Sequence, residues 1–385
     1  MQKIPLVDVH SEYAELIPEL ESRFREVVES GTFIRGPHFW SFQEEAAAYL
    51  GVKRTVGVAN GTDALVLALD ALGIGPDDEV ICPAFTFYAT AESIARRGAT
   101  PVFADIDPTT LNLDTEDVAR KVTARTRAVM PVHLFGRPLP LAELLELGLP
   151  VIEDAAQAFG APGVARRGTL ATYSFYPTKN LFCLGDGGLV ATNDEELAER
   201  VQMLAFHGSR DKAGFDFVGY NSRLDEVQAA MLRVFLPRLD RWNDARRAAA
   251  LRYAELGLGE LVGLPRDEPG HIYHLFVCRS RERDRIRAAL AHEGIASGTY
   301  YTTPLHLQPA LRFLGYEPGS LPVTEEVAGD NFSVPLWPGI PVEAQERVVD
   351  VIHSTVRGGG GSTEPPGSAG AGLAGAGAGK PVTPA

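Results

Sequence analysis

Between residues 55 and 192 short apolar runs alternate with stretches of helical period, and no other feature restricts the chain as much. Residues 55–59, 79–82, 101–104, 127–132, 150–153, 172–176 and 188–192 read as strands, with helices at 64–72 and 86–97 between them. Gly73-Ile74-Gly75-Pro76 ends the first helix. Apolar strands separated by helices predict an α/β fold whose mostly parallel sheet is covered on both faces. In such sheets ligands bind beyond the carboxyl ends of the strands, so the residues just after each strand are the ones to inspect.

The flanks are organised around this block. Residues 15–30 carry helical apolar spacing through Leu16, Leu20, Phe24 and Val27/Val28, and Gly31 stops it. Gly36-Pro37 reads as a turn, and Ser41 with Glu44 as a capping box opening a helix to Leu50. Helices are expected over 194–206 and 225–234, the latter continuing past Pro237 to about Leu256. From His271 the pattern is α+β: a strand over 273–279, a helix over 282–293, a loop at Tyr300-Tyr301 and a last helix over 342–356. This gives an N-terminal arm with helices (1–50), a large domain (51–240) and a smaller α+β C-terminal domain (241–357). Residues 358–385 are a Gly/Ala/Pro tail that lacks the apolar residues to offset ordering, and it is expected to be disordered.

Bulk properties exclude several classes. A net charge of −14 over 385 residues argues against a general nucleic-acid or anionic-membrane binder. The N-terminus has no signal-peptide apolar region, and no apolar run is long enough to span a bilayer. Cys82, Cys183 and Cys278 are far apart and lack metal-ligand spacing, which fits a reducing cytoplasm and no metal centre.

Four sites after strands, and one lysine, carry the chemistry. Lys179 follows the strand ending Phe175-Tyr176-Pro177 and sits before Leu181, Phe182 and Leu184. An amine there is partly desolvated, which lowers its pKa and makes it a nucleophile toward aldehydes. Gly61-Thr62-Asp63 stands at a helix N-terminus, where free N–H groups attract a phosphate, although Thr and Asp are also ordinary caps. Glu153-Asp154-Ala155-Ala156-Gln157 ends a buried strand. An acid there is either a helix cap or the partner of a protonated ring nitrogen. Ser174, five positions before the lysine, can donate to a phosphate or simply satisfy its strand. Phe85-Thr86-Phe87-Tyr88 offers a ring for stacking on a heterocycle or for core packing. Pyridoxal 5′-phosphate is the cofactor that asks for all of these together.

The chain resembles the DegT/StrS sugar aminotransferases, members of the fold-type-I pyridoxal-phosphate-dependent transferases, from about Ile4 to Val356. The resemblance rests on Asn60-Gly61-Thr62-Asp63-Ala64-Leu65, Pro83-Ala84-Phe85-Thr86-Phe87, Glu153 to Gln157 and Ser174 to Asn180. Gly185-Asp186-Gly187-Gly188, Gly219 to Leu224 and Pro304-Leu305-His306-Leu307-Gln308 add to it. It implies that Lys179 joins the cofactor aldehyde and shuttles the proton. It implies that Asp154 faces the ring nitrogen, Gln157 the ring hydroxyl and Phe87 the ring face. Gly61, Thr62, Asp63 and Ser174 are implied as phosphate ligands, with Asn221 arriving from the neighbouring subunit of a homodimer. Arg223, His306, Tyr300 and Tyr301 are implied around the sugar. Relatives acting as sugar dehydratases carry a histidine at the position of Lys179, so the lysine favours transamination. The expected reaction moves an amino group from L-glutamate to a nucleotide-linked keto-sugar, with a 3-keto-6-deoxyhexose on dTDP as the specific guess. Two other readings stay open: an aminocyclitol or aminobenzoate-forming aminotransferase, and a regulatory protein that binds the cofactor on the same scaffold. A dinucleotide-binding module is disfavoured, because no Gly-x-Gly-x-x-Gly turn follows the first strand.

Overall fold

The computed structural model describes residues 3–358. The expected tail, apart from Gly358, lies outside the described residues.

The strands are β1 (Arg54–Val58), β2 (Glu79–Pro83), β3 (Thr100–Ala104), β4 (Thr126–Val129), β5 (Ile152–Asp154), β6 (Leu170–Ser174), β7 (Gly188–Thr192), β8 (Phe276–Arg279) and β9 (Asn331–Val334). The helices of the first half are α1 (Val9–Tyr13), α2 (Ile17–Ser30), α3 (Pro37–Leu50), α4 (Gly61–Ala71), α5 (Ala89–Arg96), α6 (Thr115–Lys121) and α7 (Ala142–Glu146). Those of the second half are α8 (Glu195–Ala205), α9 (Glu226–Phe235), α10 (Leu239–Glu255), α11 (Arg283–His292), α12 (Pro322–Asp330) and α13 (Val342–Arg357).

Two ladders, β1-β7-β6-β5 and β3-β2-β4, are joined by parallel bridges from Val129 to Val151 and from Val132 to Asp154. The result is one sheet in the order β1-β7-β6-β5-β4-β2-β3. β7 runs antiparallel to both of its neighbours, and the remaining pairs are parallel. The parallel α/β sheet expected from the alternation is therefore present, with one reversed strand. Side chains on β7 show why both faces are apolar. Leu189 and Ala191 pack with α2, α3 and α9 on one side, and Val190 with α4, α5 and α8 on the other.

α4 has no solvent face to speak of: Ala64 through Leu69 and Ala71 are all buried. It lies across β6 and β7, so its N-terminus is held against the ends of those strands. A second core joins α10, α11 and α13 to the antiparallel pair β8-β9. Asp105, just after β3, ties this C-terminal layer to the sheet. Its carboxylate accepts from Val323 N at 3.0 Å, Thr324 N at 2.8 Å and Thr324 Oγ1 at 2.7 Å, at the start of α12.

Several local expectations shift. The capping box at Ser41 and Glu44 is not used: α3 begins at Pro37, four residues earlier, with proline in its first turn. Its N-terminal N–H groups are met by Glu226 of α9, whose carboxylate accepts from His38 N at 2.6 Å and Phe39 N at 3.0 Å. Gly36 lets this happen, because a Cβ there would lie 2.6 Å from the Glu226 carboxyl carbon. β6 stops at Ser174, so Phe175 and Tyr176 belong to the following turn. The helix expected over 86–97 forms only as α5, and the strand expected over 273–279 only as β8. α6, α7, α12 and β9 have no counterpart in the sequence reading, although Asp114 caps α6 in the ordinary way by accepting from Glu116 N and Asp117 N.

Candidate active site

β5 delivers Glu153 and Asp154 to opposite faces, as strand alternation requires. Glu153 turns into the protein, where it accepts from Gly168 N at 3.1 Å and sits 2.8 Å from His133 Nε2. Leu139 N donates to His133 Nδ1, so the histidine proton is on Nε2 and goes to Glu153. Asp154 is thereby left to the other face. Its backbone is fixed by bonds from Asp154 N to Pro131 O and from His133 N to Asp154 O. Its carboxylate accepts from Thr90 Oγ1 at 2.8 Å and from Ala156 N at 3.2 Å. Thr86 lies 3.2 Å from Thr90, and since the Thr90 proton is already used, Thr86 donates to Thr90. Burial pushes the Asp154 pKa up, and Thr90, Ala156, Lys179 and His133 each pull it back.

Lys179 stands in the turn after β6, its backbone N–H bonded to Tyr176 O. Among the described residues its ε-amine has neither a hydrogen bond nor an ion pair. Burial lowers its pKa from the ordinary 10.5 to about 8, against the opposing pull of Asp154. A lysine that is desolvated, unpaired and facing a buried carboxylate is an amine nucleophile and proton carrier held in reserve.

The helix N-terminus closes the third side. Asn60, not Asp63, is the α4 cap: its Oδ1 accepts from Asp63 N at 2.8 Å. The N–H groups of Gly61 and Thr62 stay without a partner among the described residues. A Cβ on Gly61 would lie 2.7 Å from Ser174 Cβ and 3.2 Å from Ser174 Oγ, and a Cβ on Gly188 would collide with Asn60 O. Three segments distant in sequence thus meet at one spot, with two bare N–H groups and one hydroxyl around it. That cradle suits a phosphate.

Gln157 is oriented by Phe135 N, which donates to its Oε1 at 2.7 Å, so its amide NH₂ faces Tyr301 OH at 3.2 Å. Phe87 is half-exposed, with its ring centroid 6.3 Å from that of Tyr301. Tyr300 packs edge-on against Tyr301, and its N–H donates to Asn331 Oδ1. Asn221 is exposed and its side chain makes no hydrogen bond among the described residues. His306 has a different setting from the one expected of a sugar ligand. It is buried between Phe103 and Tyr316 with Nε2 3.0 Å from Glu325 Oε1, which is the position of a residue that holds its loop.

Arg223 belongs to a group the sequence reading did not assemble. Arg35 Cζ lies 4.3 Å, Lys212 Nζ 4.8 Å and Arg223 Cζ 6.0 Å from the centroid of Phe206. None of the three has a carboxylate within ion-pair distance among the described residues, and Arg35 Nε is buried with no hydrogen-bond partner. Burial and the nearby Arg223 lower the Arg35 pKa. The three cations come from three separate segments of the chain, which is why no sequence motif announces them. Thr90 and His274 were missed too, since each reaches the centre only through the tertiary fold; Asn180 was quoted beside the lysine but without its partner His274.

The geometry fits pyridoxal phosphate: an amine with a lowered pKa, an acid beneath it, a phosphate cradle and an open aromatic face. Comparison with known proteins agrees. The family model described as the DegT/DnrJ/EryC1/StrS aminotransferase family matches residues 15–353. A protein of Geobacillus stearothermophilus named pleiotropic regulatory protein is 46% identical over 92% of this chain and 99% of its own. The dTDP-3-amino-3,4,6-trideoxy-alpha-D-glucose transaminase of Streptomyces venezuelae is 43% identical over 91% of this chain and 96% of its own. Among solved structures, S. venezuelae DesV in complex with a ketimine intermediate superposes with a TM-score of 0.89 at 43% identity, covering 92% of this chain and 98% of that one. Bacillus subtilis NtdA with bound cofactor PMP superposes at 0.88 and 29% identity, covering 93% and 86%.

Proposed function

Since the chain belongs to the DegT/DnrJ/EryC1/StrS aminotransferase family and is a pyridoxal-phosphate-dependent transaminase, we propose that it moves an amino group from L-glutamate to a keto-sugar carried on a nucleoside diphosphate. A 3-keto-6-deoxyhexose on dTDP is the acceptor to try first. The cofactor, when bound, supplies an aldehyde for amine exchange and a ring that accepts the electron pair released at the substrate carbon.

The residues divide the remaining work. Lys179, with a pKa near 8, is partly neutral at physiological pH and can take and return the proton at the reacting carbon. Asp154 offers a negative charge in a dry site, where its attraction for a protonated ring nitrogen is strong. Gly61, Thr62 and Ser174 hold the phosphate, with Asp63 oriented by its bond to Asn60. Gln157 would contact the ring hydroxyl and Phe87 the ring face, with Tyr301, against which both stand, and Tyr300 toward the sugar. Asn221 of the partner subunit completes the phosphate site in a homodimer. Support for that dimer comes from the apolar surface on this chain: Phe24, Val28, Phe33, Ile34, Trp40, Phe215 and Val218 are all exposed.

The observation that carries the nucleotide part is the unpaired cluster of Arg35, Lys212 and Arg223 on a chain of net charge −14. Three cations held together without a carboxylate are a natural seat for a diphosphate. The test is product mass spectrometry after incubation with glutamate and a panel of dTDP- and UDP-linked keto-sugars, free keto-cyclitols and 2-keto acids. Amination of a nucleotide-linked sugar is the expected result. Turnover confined to free cyclitols, or conversion of the cofactor by glutamate with no acceptor used, refutes it. The name of the G. stearothermophilus relative makes a regulatory reading worth the second arm of that assay. A pure sensor need not convert the cofactor to its pyridoxamine form with glutamate.

A further inference from the structure

Asn180 follows the lysine directly, and its amide is fully committed. The NH₂ donates to Asn243 Oδ1 of α10 at 2.7 Å and to the Ile272 carbonyl at 3.2 Å. Both partners accept, so the amide oxygen of Asn180 faces the other way, toward His274 Nδ1 at 3.2 Å. An amide oxygen cannot donate, and His274 Nδ1 must therefore carry the ring proton. The backbone of His274 is held as well, its N–H donating to Phe135 O at 2.8 Å. His274 is buried. Three segments therefore converge on the residue next to the lysine: the turn after β6, α10, and the stretch leading into β8.

Charge decides which form the ring takes. Lys179 faces His274 from the turn after β6, and Arg246 faces it from α10; burial and these two cations push the His274 pKa well below its ordinary value. Arg246 is itself paired with Glu12 of α1 at 2.7 Å, and among the described residues no carboxylate pairs with the His274 ring. Lys179 in turn is faced by Asp154 from β5.

We propose that His274 is a positioning residue for Lys179: as the neutral, Nδ1-protonated ring it locks the Asn180 amide, and through it the lysine-bearing turn, against the C-terminal layer. The arrangement fixes the turn without placing another positive charge beside the amine. It rests on the reading of Lys179 as the amine that receives the cofactor.

His274→Leu removes the donor and leaves the Asn180 oxygen unmet in a buried place, whereas His274→Asn keeps an N–H close to the same point. Cofactor-free protein is acylated with acetic anhydride across pH 6–10, and the extent at Lys179 is read by peptide mass spectrometry. The expected result is an apparent Lys179 pKa near 8 in the parent, displaced by one unit or more in His274→Leu and restored in His274→Asn. Pyridoxal phosphate affinity, titrated by absorbance, should fall ten-fold or more in His274→Leu and return to within three-fold of the parent in His274→Asn. A His274→Leu protein that titrates and binds like the parent overturns the proposal, and so does a folded His274→Asn protein that behaves like His274→Leu. The third measurement needs no destabilised variant: ¹⁵N-histidine spectra of the parent, with the His274 signal identified by its loss in His274→Asn. They should show a neutral Nδ1–H ring between pH 6 and 8. An Nε2–H or a charged ring overturns the proposal. Borohydride trapping of the cofactor separates the two readings: if the parent traps it on a residue other than Lys179, the proposed function fails first.

Discussion

Gly61→Ala is the sharpest test of the phosphate cradle. An alanine Cβ at this position would stand 2.7 Å from Ser174 Cβ and 3.2 Å from Ser174 Cα. Carbon atoms in contact prefer about 3.5 Å or more, so the N-terminus of α4 must retreat by roughly 0.8 Å from β6. Ser174 cannot rotate out of the way, because the obstructing atoms are its own Cβ and Cα. α4 cannot tilt freely either, since Ala64 through Leu69 and Ala71 are buried. Overpacking of this kind costs about 1–3 kcal/mol. If that strain is spent moving the Gly61 and Thr62 N–H groups away from the phosphate, cofactor affinity falls about 5- to 140-fold by the relation of 1.4 kcal/mol per decade. The assay is an absorbance titration of cofactor-free protein with pyridoxal phosphate, alongside thermal unfolding of the cofactor-free form. Replacing Ser174 by glycine in the Gly61→Ala background removes the nearest obstructing atom. It should recover part of the thermal stability while leaving the phosphate one hydroxyl short. A Gly61→Ala protein that binds the cofactor within two-fold of the parent and melts at the parent temperature would refute this geometry.

Three further outcomes follow from the same structure. The folded Lys179 pKa of about 8 lies below the ordinary 10.5, so the unfolded chain binds more protons across that window and this group makes stability rise with pH there; Lys179→Ala should remove that part of the slope in cofactor-free protein, as read by denaturant unfolding at pH 7.5 and 10. Glu226→Ala takes away the acceptor for His38 N and Phe39 N, and by the worth of a helix cap it should cost about 1–2 kcal/mol, with faster hydrogen exchange at the start of α3; Glu226→Gln, which keeps one acceptor, should lose less. Thr90→Val deletes the donor to Asp154 at nearly constant volume, and a hydrogen bond to a charged group is worth about 1.5–3 kcal/mol, so the Asp154 pKa should rise further and the acid limb of the pH–rate profile should move alkaline with it.

What the sequence determined by itself is what short-range pattern can encode. The alternation of apolar runs over residues 55–192 is enough for a parallel sheet, because period and strand length are local properties. The positions of Lys179, Asp154, Gly61 and Ser174 after their strands follow from the same reading, since each is named by the strand it terminates. Local pattern stops being sufficient where a partner comes from far along the chain. Ser41 and Glu44 form an acceptable capping box on paper, yet α3 starts at Pro37 because Glu226, 188 residues beyond His38, meets its N–H groups from another helix. Asp154 was named as the acid from the sequence, but what separates it from its neighbour Glu153 is tertiary: the strand's two faces acquire different neighbours, His133 behind and Thr90 in front. The cations around Phe206 and the Asn180–His274 contact have no local signature at all. A side chain's reach is a few ångströms in space and carries no record of separation along the chain, so only packing of the sheet, α10 and the C-terminal layer could decide which of these groups stand beside the lysine.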